Sequence, residues 1–119
     1  MILDGKFRKK EHLLKTGDFR SVYDKGRAVK TGAFVLCYLP NGLNYNRIGF
    51  SISSGAVKKA SLRNRVRRLF KEAYRHNKRR FKPGFDFILI ARRGTIAKKR
   101  YKDFELTLLE LTNRAGVQT

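Results

Sequence analysis

Between Lys58 and Arg80 the chain reads KKASLRNRVRRLFKEAYRHNKRR, and its apolar positions recur at helical spacing. Leu62, Val66, Leu69, Phe70 and Ala73 follow i, i+4, i+7, i+8 and i+11, which gathers them on one side of a helix running from about Lys58–Ser61 to Arg79. Arg63, Arg67, Lys71 and Arg75 stand four apart and stack on another face. The pattern elsewhere is shorter. Phe19, Val22 and Tyr23 share one side of a helix over Asp18–Lys25, capped by Thr16 and stopped by Gly26. Residues 33–39, AFVLCYL, are apolar on both faces and predict a strand covered on both sides, closed by the turn Pro40-Asn41-Gly42. From Arg47 to Ser53 the pattern alternates, with Ile48, Phe50 and Ile52 opposite Gly49, Ser51 and Ser53. After the turn Pro83-Gly84, FDFILIA at 85–91 is another strand. Tyr101, Phe104, Leu108 and Leu111 then stripe a last helix over Lys98–Arg114, with Gly116 after its end.

This α-β-β-α-β-α order, with room for an extra short strand in 27–32 or 43–46, predicts an α+β fold: one small sheet with helices on one face, a two-layer α/β sandwich. A chain of 119 residues is expected to be a single domain, 1–119, large enough to bury its core without staples. Residues 1–14, basic and weakly patterned, read as a mobile arm.

Charge changes the picture most. The net charge is +20, and Lys58–Arg80 holds eleven Lys or Arg against the single acid Glu72. Like charges at i,i+4 lower a helix's stability by about a few tenths of a kcal/mol per pair, a cost a polyanion removes. A solubilising surface would intersperse acids more evenly, so nucleic acid is the first expectation. An anionic membrane ranks second, since no run of about eighteen apolar residues is present. The N-terminus has no apolar signal core, and Asp4 and Glu11 argue against a transit peptide. Cys37 stands alone among apolar neighbours, which fits a buried small hydrophobe in a reducing cytoplasm.

Chemistry-bearing constellations are absent from the sequence. His12 and His76 lack sequence partners and read as surface residues, no Cys/His cluster has zinc spacing, and no phosphate loop or nucleophile with its base is visible. The pattern is that of a binder. Phe19 and Tyr23 read first as core, and alternatively as an aromatic edge for base stacking. The small, polar face of the Arg47–Ser53 strand is either plain surface or a place where a phosphate approaches Ser51.

The run Arg63-Asn64-Arg65-Val66-Arg67-Arg68, followed by Lys71-Glu72, resembles the RNR signature of the bacterial ribonuclease P protein subunit. Asp18-Phe19, Val22-Tyr23 and Gly26 resemble that family's first helix, Phe34-Val35-Leu36 and Arg47-Ile48-Gly49 with Ser51 its first strands, and Gly84-Phe85-Asp86 through Ala91-Arg92 the strand after the RNR helix. The resemblance covers about residues 7–112. Two features depart from it. Ser54-Gly55-Ala56-Val57-Lys58-Lys59 stands where the family commonly has a Lys-Lys pair and a glycine, and Cys37 falls where some members have an aromatic.

The resemblance implies an α/β sandwich with a left-handed βαβ crossover. It implies an accessory subunit of an RNA-catalysed endoribonuclease that removes the 5′ leader of precursor tRNA. The catalytic RNA would bind Mg²⁺ and perform the hydrolysis; the protein would hold no cofactor and supply no catalytic residue. One protein per RNA and a cytoplasmic location are expected. Arg63, Asn64, Arg65, Arg67 and Arg68, with Lys59, Lys71 and Arg75, would contact the catalytic RNA, while Phe19, Tyr23 and Ser51 would line the leader cleft. The alternative is a ribosomal or other structural RNA-binding protein. A helix-turn-helix DNA binder is disfavoured by the strand content.

Overall fold

The computed structural model describes residues 7–94 and 98–119. Its elements are α1 (Thr16–Lys25), β1 (Arg27–Thr31), β2 (Phe34–Pro40), β3 (Arg47–Ile52), α2 (Ala60–Asn77), β4 (Phe85–Ala91) and α3 (Tyr101–Ala115), with short helical turns at Lys9–Glu11 and Lys78–Arg80. The additional strand is therefore β1, in 27–32 and not in 43–46. Thr16 is the first helical residue of α1, and no side chain caps that helix.

The four strands lie in the order β1-β2-β4-β3. β1–β2 and β2–β4 pair antiparallel, whereas β3 and β4 pair parallel with α2 as their crossover. The class is mixed α+β, as expected. β2 and β4 sit in the middle, so both of their faces are covered, which is why their sequences are apolar without alternation. Phe34, Leu36, Phe87, Leu89 and Ala91 face α2 and α3 together with Ile48 and Ile52 of β3. The expectation of helices on one face holds for α2 and α3. The third helix, α1, covers the other face, where Val22 packs with Leu13, Cys37 and Ile88, flanked by Phe19, Val35, Leu39 and Ile90.

α2 follows its sequence pattern. Val66, Phe70 and Ala73 are buried, and Leu62 and Leu69 pack at the margin. Burying side chains of this kind contributes about 1.5–3 kcal/mol each. Phe70 meets Phe34 and Phe104 edge-on at centroid distances of 5.1 and 4.9 Å, so three rings join sheet, α2 and α3. The buried face extends beyond the predicted stripe. Tyr74 is 2% exposed, packed between Phe7 and Phe81, and Asn77 donates from Nδ2 to Ala73 O and Glu105 Oε2, both at 2.8 Å.

Residues 7–14 correct the expected mobile arm; residues 1–6 lie outside the described ones. Phe7 stacks on His12 at 3.9 Å, His12 bridges Ile48 in parallel, and Leu13 N–H donates to Ile48 O at 2.9 Å. Glu11 is buried, accepting from Arg8 N–H at 2.7 Å and from Lys78 Nζ at 2.9 Å. Lys10 Nζ lies 4.4 Å above the Tyr45 ring. Apolar anchoring by Leu13 and Phe7, with a paired buried charge, offsets the cost of ordering this segment.

The two sides of α2 should separate cleanly in denaturant melts. Phe70→Ala is expected to lower stability by about 3–5 kcal/mol through cavity formation, whereas Arg68→Ala at the exposed face should stay within about 0.5 kcal/mol.

Candidate nucleic-acid interface

The basic side of α2 is held out by the burial of the apolar one. Asn64 and Arg68 are exposed, and Arg63, Arg65, Arg67, Lys71 and Arg75 are half-buried along their stems with polar ends outward. These residues do not all present free guanidinium groups. Arg63 donates from Nη1 to the carbonyls of Val57 and Lys58 at 2.9 and 2.8 Å, tying down the loop before the helix. Arg65 donates to Lys99 O at 2.8 Å, fastening α2 to the segment before α3. Arg67 donates to Asn64 Oδ1 at 2.9 Å. Arg75 forks onto Glu72 at 2.8 and 3.3 Å and touches His76 Nε2 at 3.0 Å. Lys59, Arg68 and Lys71 have no side-chain hydrogen-bond or ion-pair partner among the described residues.

A network joins this face to α3. His76 Nδ1 lies 2.8 Å from the Tyr101 hydroxyl, which donates to Glu105 Oε2 at 3.0 Å. Partial burial and then the Glu105 carboxylate push the Tyr101 phenol up to about 12. Glu72 is held low by Arg75, and Glu105 low chiefly by the Asn77 amide.

A groove of about 200 Å³ opens between α1 and α2 along β3. Phe19 stands on one side, Arg67 and Lys71 on the other, with Ile48, Gly49 and Phe50 as floor and His12, Leu13 and Leu14 at its end. Gly49 is required here: a Cβ at this position would come within 2.4 Å of Phe19 Cζ and 3.0 Å of Leu13 O. The three apolar residues of α1 therefore divide. Val22 is core, Phe19 is half-buried over Gly49, and Tyr23 is 49% exposed, its ring 6.3 Å from that of Phe19. Ser51 follows two residues beyond Gly49 on the same face of β3.

The groove is braced by a cluster that no periodicity announces. Arg47 forks onto Asp86, with Nε–Oδ1 at 2.8 Å and Nη2–Oδ2 at 2.6 Å, and reaches Asp18 in the first turn of α1 at 3.5 Å. Asn41 Nδ2 donates to the same Asp86 Oδ1 at 2.9 Å, so this 5%-exposed carboxylate is paired and bonded. Cys37 is buried beneath α1, and desolvation pushes its thiol up, away from the reactive thiolate. Among the described residues no three His, Cys, Asp or Glu side chains gather as metal ligands, and no helix is long and apolar enough to cross a membrane.

A family model described as Ribonuclease P matches residues 7–116. The chain belongs to the Ribonuclease P protein family. The ribonuclease P protein component of Alkaliphilus oremlandii is 39% identical over 105 residues, covering 88% of this chain and 90% of that protein. The RNase P protein of Staphylococcus aureus has the same fold, with a TM-score of 0.82 at 26% identity over 92% of this chain and 98% of that one. That of Thermotoga maritima gives 0.78 at 28% identity over 87% and 96%. The Ribonuclease P protein family acts in tRNA 5′ maturation, and its members are the protein component beside an RNA partner.

Two outcomes follow from this geometry. Gly49→Ala should destabilise the fold by about 1–3 kcal/mol through overpacking, and the loss should shrink when Phe19 is also Ala, a coupling a double-mutant cycle in denaturant would read. As for Tyr101, its raised phenol makes a stabilising contribution that is complete below pH about 10 and lost as pH rises to about 12. Over that window the parent should lose stability relative to Tyr101→Phe.

Proposed function

We propose that this chain docks on the catalytic RNA of ribonuclease P through the outer face of α2 and holds the 5′ leader of precursor tRNA in the groove beside Phe19. The observation that carries the reading is the groove itself. It places an aromatic ring and two cations on opposite walls of a floor where Gly49 lets the Phe19 ring lie against β3. A single strand needs this combination: a π-face for a base and positive charge along its backbone. Arg63 and Arg65 tie α2 to the segments beside it, Asn64 accepts from Arg67 on the outer face, and Arg67, Arg68, Lys71 and Lys59 supply cations toward RNA phosphates. Arg75 is anchored to Glu72 and would contact RNA only at the network's edge. Tyr23 and Ser51 extend the groove along α1 and β3.

In this reading the RNA carries the hydrolysis with its own Mg²⁺, and the chain contributes positioning and charge, one protein to one RNA, in the cytoplasm. The buried, unreactive Cys37 fits a reducing compartment. Lys71 and Arg67 belong to both surfaces, so leader and catalytic RNA would meet along the edge of α2.

The test is binding of precursor and mature tRNA to the reconstituted holoenzyme. Phe19→Ala should weaken precursor binding by about 1–3 kcal/mol, the usual loss for one stacked base, and leave mature tRNA nearly unaffected. Arg67→Ala should lower the slope of log K against log[salt] for the catalytic RNA by about one. Equal losses for both tRNAs, or recovery of ribosomal RNA instead of one catalytic RNA from total RNA, would favour a general structural RNA binder.

A further inference from the structure

The groove has an end as well as walls, and that end comes from the segment before α1. His12, Leu13 and Leu14 line it. Leu14 is 71% exposed, an apolar side chain with no core to join. Leu13 beside it is buried among Val22, Cys37 and Ile88, and its carbonyl oxygen lies over Gly49, 3.0 Å from where a Cβ would stand. His12 is stacked on Phe7. Apart from His12, Arg67 and Lys71 are the groove's only ionisable lining residues among the described ones. Positive charge is thus confined to the α2 wall, and the end offers apolar surface and a backbone acceptor. The end is also held from behind. Leu13 N–H donates to Ile48 O at 2.9 Å, and the buried Glu11 accepts from Lys78 Nζ at 2.9 Å and from Arg8 N–H at 2.7 Å. Lys78 directly follows α2, so this ion pair joins the end of the groove to the helix that carries Arg67 and Lys71. Removing one partner of a buried pair leaves the other charge uncompensated, which makes the pair a firm anchor.

We propose that residues 12–14 are a specificity element for the leader: Leu14 receives one base of the strand at the end of the groove, and Glu11, through Lys78, is the positioning residue that sets that contact against the cations of α2. The assignment rests on the leader reading above and adds the way the strand lies. Phosphates gather at Arg67 and Lys71, where the groove carries its charge, and bases turn toward Phe19 and Leu14. A lone exposed leucine needs no ligand. This one is singled out by its place at the end of a groove whose walls are an aromatic ring and two cations. From Ile48 to Phe50 the floor runs about 7 Å, at about 3.3 Å per residue, so the groove seats a short stretch of strand. The docked backbone at Leu13 then blocks its way along β3, and the strand leaves the groove at Leu14.

The test uses the full chain reconstituted with the intact catalytic RNA, and precursor tRNAs in which one leader nucleotide at a time is made abasic. Leu14→Ala should melt with the parent, because the side chain is exposed. It should weaken precursor binding about fivefold and leave mature tRNA unaffected. In the parent one abasic position should cost about as much, and at that position Leu14→Ala should add nothing further. Glu11→Lys should lower the ratio of precursor to mature affinity and abolish that abasic effect, and the charge swap of Glu11→Lys with Lys78→Glu should restore both. Additive losses for Leu14→Ala at every abasic position, with Phe19→Ala still selective for precursor, would overturn the end wall and leave the leader reading standing. A Glu11→Lys loss shared equally by both tRNAs and matched by a lower melting midpoint would overturn the positioning role and make Glu11 a folding residue only. If neither Phe19→Ala nor Leu14→Ala distinguishes the two tRNAs, the leader reading fails and this proposal with it.

Discussion

The junction of Phe34, Phe70 and Phe104 is the contact on which the rest of the molecule depends. It fixes α2 by its apolar side against the sheet and against α3 at once. A helix this rich in cations has little reason to be stable alone, because rows of like charge at i,i+4 work against it. Packing by Phe70, Val66 and Ala73 supplies what local propensity does not, and the basic face is aimed outward as a result. Charge and core are thus two sides of one constraint: the helix presents its arginines only because its other face is buried.

Much of this was legible. The stripe on α2, the doubly apolar β2 and β4 and the alternating β3 follow from short-range periodicity, and that pattern survives folding because burial enforces it. What stayed hidden depends on pairs far apart in the chain. The docking of residues 7–14 rests on Glu11 meeting Lys78 and Leu13 meeting Ile48, and neither pair leaves a periodic trace. The side of the sheet chosen by α1 is set by Leu13, Cys37 and Ile88 together, and no helical pattern encodes which face of a sheet a helix will cover. β1, with the sequence RAVKT, is short and mostly exposed, so the pattern left the extra strand undecided between 27–32 and 43–46.

The candidate site divides in the same way. The cations of α2 could be named from the sequence, but their commitments could not: Arg63 to the carbonyls before the helix, Arg65 to Lys99, Arg75 to Glu72. The pairing of Arg47 with Asp86 was equally invisible, although it ties β3 to β4 and, through the reach of Arg47 to Asp18, links both to α1. Phe19 was ambiguous because its spacing suits core and surface alike. Gly49 lets the half-buried ring lie against β3, and that contact appears only when β3 lies beneath the ring.

The docked segment before α1 also bears on how the chain survives unassembled. A four-stranded sheet has two edges, and unpaired edge strands recruit other strands into aggregates. Here the β3 edge is bridged at Ile48 by His12, and the β1 edge is only five residues long with Arg27 and Lys30 upon it. One edge is blocked by the chain's own backbone, the other by brevity and charge. For a protein whose family works beside an RNA partner, edges of this kind disfavour copies that template one another before assembly.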